Sequence, residues 1–389
     1  MTEWSLRPLS ELTENLDSRR VPIKEADRRP GPYPYYGASG IVDYIDDYLF
    51  EGQHLLIAED GENLRTRKLP IAFLADGRFW VNNHAHIVRG NGEANTRFLL
   101  YAMLVADVTS YLSGSTMPKL TQGNLNRIPI FAPDKRTQEA IASVLGALDD
   151  KIELNRRMNE TLEAMARAIF KDWFVDFGPT RAKMEGRAPY LAAEIWSLFP
   201  ENLDSESKPE GWGERRVEDI LELAYGKALK ASERTAGPIP VYGSGGITGF
   251  HNAALVEGPS IVVGRKGTVG VLYWEDRPFF PIDTVFYVRP KAPLTFCYYH
   301  LQTLGLEAMN TDAAVPGLNR NNVYRLPVPW SGDELRNQFD QLVAPLRQRM
   351  RANSEETNTL AATRNFLLSK LMSGEVRVKD AEKLIGEAT

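Results

Sequence analysis

Two kinds of hydrophobic spacing alternate along the chain. Ile141, Leu145, Leu148, Ile152, Asn155, Asn159, Leu162, Ala166, Ile169 and Trp173 follow a 4-3-4-3 spacing. That is the a/d seam of a heptad and predicts one long helix. At an offset of 198, Phe339, Val343, Leu346, Met350, Asn353, Thr357, Leu360, Arg364, Leu367 and Leu371 keep the seam. Ahead of each helix the pattern is alternating and turn-rich, which predicts strands joined by tight turns. A helix of roughly 35–40 residues spans on the order of 55 Å. Its own domain cannot cover that length, so the two seams are expected to pack on each other. Asn155 and Asn159 interrupt the first seam where Asn353 and Thr357 interrupt the second. Buried there, they would fix register at a cost in stability; the alternative is that this part of each helix faces solvent or another chain. Pro345 falls inside the second seam and predicts a kink or a late helix start, because proline removes a backbone donor.

The strand-rich stretches are themselves duplicated. Residues 32–61 match residues 239–267 at an offset of 206, with Pro34, Tyr36, Gly37, Gly40, Ile41, Leu49, Glu51, Gly52 and Gly61 recurring as Pro240, Tyr242, Gly243, Gly246, Ile247, Leu255, Glu257, Gly258 and Gly267. Composition alone would give about two identities over such a window. Further on, Pro118, Leu120, Asn124, Arg127 and Pro129 recur as Pro316, Leu318, Asn322, Arg325 and Pro327. Each copy is therefore a globular head followed by a long helix. Between the copies, residues 178–212 read as a linker with one short helical piece around Ala192–Leu198, and the charged tail from Gly374 onward is expected to fray.

Composition narrows the chemistry. A single cysteine, Cys297, rules out an intramolecular disulfide and a paired-thiolate zinc site. No apolar run approaches the roughly 18 residues of a membrane span, and the N-terminus lacks a signal-type apolar stretch, so a cytoplasmic protein without membrane contact is expected. No phosphate loop, nucleophile elbow, zinc helix motif or kinase set is present. YGSGGITG (242–249) has Thr248 where a dinucleotide loop needs its third glycine. His84 and His86 could share a strand face but have no third ligand in view, so no metal site is expected. The formal net charge of -5 argues against a generic nucleic-acid binder. That objection shrinks because charge roughly cancels in each head and the surplus acid lies in the helices and linker.

Two related heads on a helical spacer suit a target with repeating geometry. DNA is the natural one, since a fixed spacing becomes a fixed number of unread base pairs. The heads hold suitable side chains. In the first, Arg65, Arg67 and Lys68 follow the EDGENL turn, and Asn82, Asn83 and His84 follow Phe79 and Trp80. In the second, Arg265 and Lys266 sit in a glycine-flanked loop, and Arg320 and Asn321 lie between Asn319 and Asn322. The paired turns add Tyr36, Ser39, Tyr242 and Ser244, and the first Pro-rich stretch adds Lys119. Arg, Lys and Asn are residue types that pair with base edges or phosphates.

The paired PYYGASGI and PVYGSGGI turns, LLIAEDGENL against IVVGRKGTVG, the MPKLTQGNLNRIPIFAP stretch and the helix leading to DWFVDFGP together resemble the specificity subunit of type I restriction-modification systems. The resemblance covers essentially the whole chain. It implies an α+β fold with two tandem-repeated target recognition domains, each a mixed sheet with small helices, separated by two long helices that pair as an antiparallel coiled coil. The corresponding segments are 1–136 and 211–332 for the two domains, 137–176 and 333–373 for the helices, 177–210 for the linker and 374–389 for the tail. Each domain would read one half of a split sequence on double-stranded DNA. Leu145, Leu148, Ile152, Asn155, Leu162 and Ile169 would pair with Val343, Leu346, Met350, Asn353, Leu360 and Leu367.

The resemblance further implies two modification (methyltransferase) subunits and restriction (translocase and nuclease) subunits as partners. S-adenosylmethionine, ATP and Mg2+ would belong to those partners; this chain would bind no cofactor and carry no catalytic residue. Two departures stand out: the EDGENL turn lacks the Arg-Lys of GRKG, and Pro345 interrupts the second seam. The alternatives from the residues alone are a coiled-coil scaffold without DNA specificity, or a self-contained methyltransferase or nuclease.

Overall fold

The duplication is visible strand by strand in the computed structural model, which describes residues 4–310, 317–381 and 383. Val315 and Pro316 of the second repeat lie outside the described residues, as does all of the tail beyond 381 except residue 383. The chain divides into two units, Met1–Asn155 with Glu355–Thr389, and Arg156–Ser354.

In the first unit, β1 (Ser5–Pro8), β2 (Thr13–Asn15), β3 (Pro30–Gly37), β4 (Gly40–Ile45), β5 (Phe50–Glu51), β6 (His54–Ala58), β7 (Ala72–Ala75), β8 (Arg78–Val81), β9 (Ala85–Gly90) and β10 (Pro129–Ala132) alternate with the short helices α1 (Asn63–Thr66), α2 (Thr96–Val105) and α3 (Gln122–Leu125). They form one sheet in the order β2-β9-β6-β7, a second in the order β4-β3-β8-β5, and the ribbon β1-β10. β3 and β8 pair in parallel, so the architecture is mixed. All five residues of β6 are buried, which accounts for its unbroken apolar run in the middle of a sheet. Phe98, Leu99 and Ala102 of α2 share a core with Leu55 and Ile57.

The long helix α4 (Lys135–Phe174) follows, then α5 (Gly178–Met184) and α6 (Ala193–Trp196). The second unit repeats the strand order with β11 (Gly213–Arg216), β12 (Leu221–Tyr225), β13 (Ile239–Gly243), β14 (Gly246–His251), β15 (Ser260–Gly264), β16 (Leu272–Glu275), β17 (Phe280–Pro281), β18 (Val285–Pro290) and β19 (Pro327–Trp330), together with α7 (Val217–Ile220), α8 (Leu294–Thr303) and α9 (Arg320–Tyr324). Its sheets run β12-β18-β15-β16 and β14-β13-β17, with the ribbon β11-β19. Both hairpins slip register at the matched positions, between Tyr35 and Tyr36 and between Val241 and Tyr242. The last helix is α10 (Asp333–Met372).

Each unit holds its own stretch of paired helices. In the first, Leu145 and Leu148 of α4 share a core with Leu360 and Leu367 of α10. Arg364 donates to Asp149 at 2.7 Å and Asn155 donates to Glu356 at 2.8 Å. In the second, Ala166, Phe170 and Trp173 pack with Phe339 and Val343, with Ile169 and Leu346 at the margin. There Arg347 donates to Glu163 at 2.9 Å and Asn353 to Asn159 at 2.8 Å. Numbers rise along α4 as they fall along α10, so the pairing is antiparallel. Asn155 and Asn353 are buried, and their amide groups bond across the helix pair. Ile152 sits at the margin of the first core, Met350 is buried, and Leu162 is half-buried.

Three expectations are corrected. The second helix starts at Asp333, so the late start is overturned, and it continues past Pro345. The proline ring lies on an exposed position while Val343 is buried beside it, so the carbonyl that loses its donor faces water. The linker contains α5, whose Gly178 and Pro179 look like breakers in sequence. Proline at the first helical turn is compatible with a helix, and Thr180 and Ala182 are buried. The tail does not fray at Gly374: Val376 and Val378 pack against the first core and Ala381 is buried in it.

Candidate nucleic-acid interface

The central strands of the two larger sheets, β6 and β15, lead into matched turns with the same backbone scaffold. In the first head, the Glu59 amide donates to the His84 carbonyl at 2.9 Å and the Leu120 amide to the Glu59 carbonyl at 2.8 Å. In the second, the amides of Arg265 and Lys266 donate to the Thr284 carbonyl, and the Leu318 amide to the Arg265 carbonyl at 2.8 Å. Asp60 bridges to Lys119 and Lys266 bridges to Gly317 at the same place. Three segments of chain therefore converge on each turn.

The side chains differ completely. In the first head, Glu59 is held by Arg20 at 2.7 Å and by Lys119 at 3.3 Å. Beneath it, Asp17 meets the buried His86 ring at 2.5 Å, and the other His86 nitrogen lies 2.7 Å from the Leu120 carbonyl. Burial alone would raise the Asp17 carboxyl, but the His86 contact, the Ile87 amide and Arg20 together bring it below the ordinary value. At the rim, His84 Nδ1 lies 2.8 Å from Asp60 Oδ2. The carboxylate can only accept, so Nδ1 donates. The His84 side chain is 54% exposed and that of Asp60 23% exposed. The His84 amide is fixed by the Asn82 side chain at 2.8 Å.

In the second head, two guanidinium groups lie close to the Tyr225 ring. Arg265 and Arg320 each lie 4.9 Å from its ring centre. Arg265 also donates to the Asp283 carbonyl at 2.8 Å, and Lys266 is exposed. Ser244, in the hairpin turn between β13 and β14, lies beside Gly267: a Cβ there would stand 3.4 Å from the Ser244 hydroxyl oxygen. The second hairpin thus reaches the GRKG turn.

The remaining candidates separate by accessibility. Ser39, Arg65, Lys68, Asn83, Lys119 and Asn321 are exposed; Arg65 donates to the Gly114 carbonyl, and the Asn321 amide is capped by Asn319. Tyr36 is half-buried against Phe73 and Phe79, and burial raises its hydroxyl above the ordinary value. Asn82 is buried. Two candidates are corrected outright. Arg67 donates to the carbonyls of Leu104 and Ala106 at 3.0 and 2.5 Å, so it closes the C-terminal end of α2. Tyr242 is buried and donates to Glu275 at 2.9 Å. Neither can reach a ligand without breaking those bonds. Sequence reasoning missed Glu59, Asp60, Arg20 and Tyr225. The available signal was the offset of 206, which sets Glu59 and Asp60 opposite Arg265 and Lys266.

Among the described residues, no group of His, Cys, Asp or Glu could hold a metal ion, and no helix is long and apolar enough to cross a membrane. The family described as the type I restriction modification DNA specificity domain matches residues 1–164 and 209–329, so both copies of the repeat are covered and the chain belongs to that family. It is 39% identical over 147 residues to the Haemophilus influenzae protein S.HindORF215P, an alignment spanning 38% of this chain and only 37% of that relative. It is 22% identical over 423 residues to the type I restriction enzyme MjaIX specificity subunit of Methanocaldococcus jannaschii, spanning 97% and 94% of the two chains. Its fold is similar to the crystal structure of the type I restriction-modification system S subunit from M. genitalium, with a TM-score of 0.64 at 20% identity over 95% of this chain and 96% of that one.

Proposed function

We propose that the chain is the DNA sequence-recognition subunit of a type I restriction-modification complex, each head reading one half of a bipartite target. The observation that carries this is a family match over both repeats, combined with one backbone turn built twice and dressed with different side chains. Residues 1–136 and 211–332 would be the two recognition domains. α4 and α10 would set the gap between half-sites and dock two modification subunits, to which restriction subunits are added. The exposed set Ser39, Arg65, Lys68, Asn83, His84, Lys119, Lys266 and Asn321, with the half-buried Ser244, would face the duplex. This chain carries out no catalytic step. Methyl transfer from S-adenosylmethionine and ATP- and magnesium-dependent steps would belong to its partners, in the cytoplasm of a prokaryotic cell.

Exchanging residues 1–136 for those of a relative with a different target tests the reading. Mapping modified adenines across the genome should show one half-site replaced and the other retained. If both change, or neither does, the modular assignment fails. Adding one heptad to both α4 and α10 near Asn155 and Asn353 should widen the unread gap; an unchanged gap would show that the helices do not set it.

A further inference from the structure

The two heads present opposite hydrogen-bonding faces at the same point of one scaffold. The rim of the first turn is a carboxylate, Asp60, oriented by His84 Nδ1 at 2.8 Å. Its second oxygen is an acceptor on a part-exposed edge. The neighbouring Glu59 is saturated by Arg20 and Lys119. The second turn places the ammonium of Lys266, a donor only, at the matched position.

On the reading that these heads bind DNA, we infer that Asp60 and Lys266 are matched specificity-determining residues of opposite sense. Asp60 accepts from the exocyclic amine of cytosine, N4, in the major groove. Lys266 donates to the O6 and N7 edge of guanine. His84 satisfies one Asp60 oxygen; a duplex closing over the turn would desolvate the other, which is costly unless it meets a donor such as a base amine. The two arginines close to Tyr225 are already engaged, with Tyr225 and with backbone carbonyls, and this leaves Lys266 as the exposed cation of its turn.

The test uses the complete complex with its modification subunits and a randomised duplex library, sequencing the methylated fraction. Asp60→Asn should relax one base position in the first half-site, cutting discrimination there by roughly 5- to 150-fold, while the second half-site keeps its motif. Asp60→Lys should move that position toward guanine. Lys266→Asp should do the reverse in the second half-site alone.

An unchanged motif with Asp60→Asn overturns the assignment. So does uniform weakening across all sequences, which would mark Asp60 as supporting the turn and, for Lys266→Asp, mark a phosphate contact. If Asp60→Lys fails to fold, the isosteric Asp60→Asn still decides. A head exchange that moves a half-site while Asp60→Asn does not sinks this inference and leaves the function standing. A head exchange that moves nothing sinks the function itself.

Discussion

The first head builds its matched turn over a hydrogen-bonded carboxylate and imidazole, the second over an aromatic pair, and the strand registers carry these to the same positions. Thr13 pairs with Gly90 as Leu221 pairs with Pro290, which sets Asp17 opposite Tyr225 and His86 opposite Phe286. Asp17 and His86 are hydrogen-bonded at 2.5 Å; Tyr225 and Phe286 meet edge to face at 5.0 Å. The backbone bonds that close the two turns are nevertheless equivalent. Those bonds hold the shape, so the filling beneath and the rim above were free to diverge. One frame therefore carries two chemistries.

The most disruptive way to break the comparison is Asp17→Ala. It leaves His86 buried and removes the acceptor for the Ile87 amide, so the first head should lose about 3–5 kcal/mol. Urea unfolding of the full chain, with hydrogen exchange followed at the Ile87 amide, would measure it. Installing the second head's pair by the double substitution D17Y/H86F should cost less, about 1–3 kcal/mol of overpacking. A double variant as unstable as Asp17→Ala would show that the shared backbone does not tolerate the exchange.

Both heads hold a histidine whose pKa burial lowers, His54 in β6 of the first and His300 in α8 of the second, and the larger shift belongs to His300. His300 in α8 is buried against Phe296 and bonds to the Pro327 carbonyl at 3.2 Å. Burial pushes its pKa down to about 4, partly offset by that bond. The matched residue in the first head is Ala102. Between about pH 6.5 and 4 the unfolded histidine holds a proton that the folded one refuses. The stabilisation is therefore complete above pH 6.5 and falls away toward pH 4, by about 3 kcal/mol. Asp17, held below its ordinary value, keeps its contribution until the pH drops below about 3.8. Hydrogen exchange at pH 7 and pH 4.5 should show α8 loosening; in His300→Phe the pH dependence of α8 should flatten. Equal pH dependence in wild type and variant would remove His300 as the cause.

Much of this was legible in the sequence, for reasons that explain the failures as well. The repeat and the heptad seams depend on spacing alone, and spacing survives divergence of side chains. Pro345 misled because spacing does not say that a proline ring points to water. α5 was hidden because Gly178 and Pro179 serve equally well as breakers and as a helix start. Nothing in the sequence marks Tyr242 as engaged, because its partner, Glu275, lies 33 residues on in another sheet and is brought in only by folding. The sequence does not mark Asp60 as ordered, because its partner, His84, lies 24 residues on and meets it only in the fold.

The finest comparison lies in the helices. Arg347 with Glu163 and Arg364 with Asp149 are cross-helix bridges, each shared with a tyrosine hydroxyl from a matched position, Tyr299 at 3.1 Å and Tyr101 at 2.6 Å. Both place the acid on α4 and the base on α10, so pairing α4 with another α4 would supply neither acid with its cation. The first bridge is the less exposed, its side chains 14% and 23% accessible against 32% and 27% for the second. Screening weakens a pair as exposure grows. Double-mutant cycles with R347M and E163Q, and with R364M and D149N, should give couplings of about 1 and about 0.5 kcal/mol. The smaller should fade first as salt is raised. A reversed order would mean that the tyrosine hydroxyls, rather than burial, set the strength of each bridge, since Tyr101 makes the shorter contact.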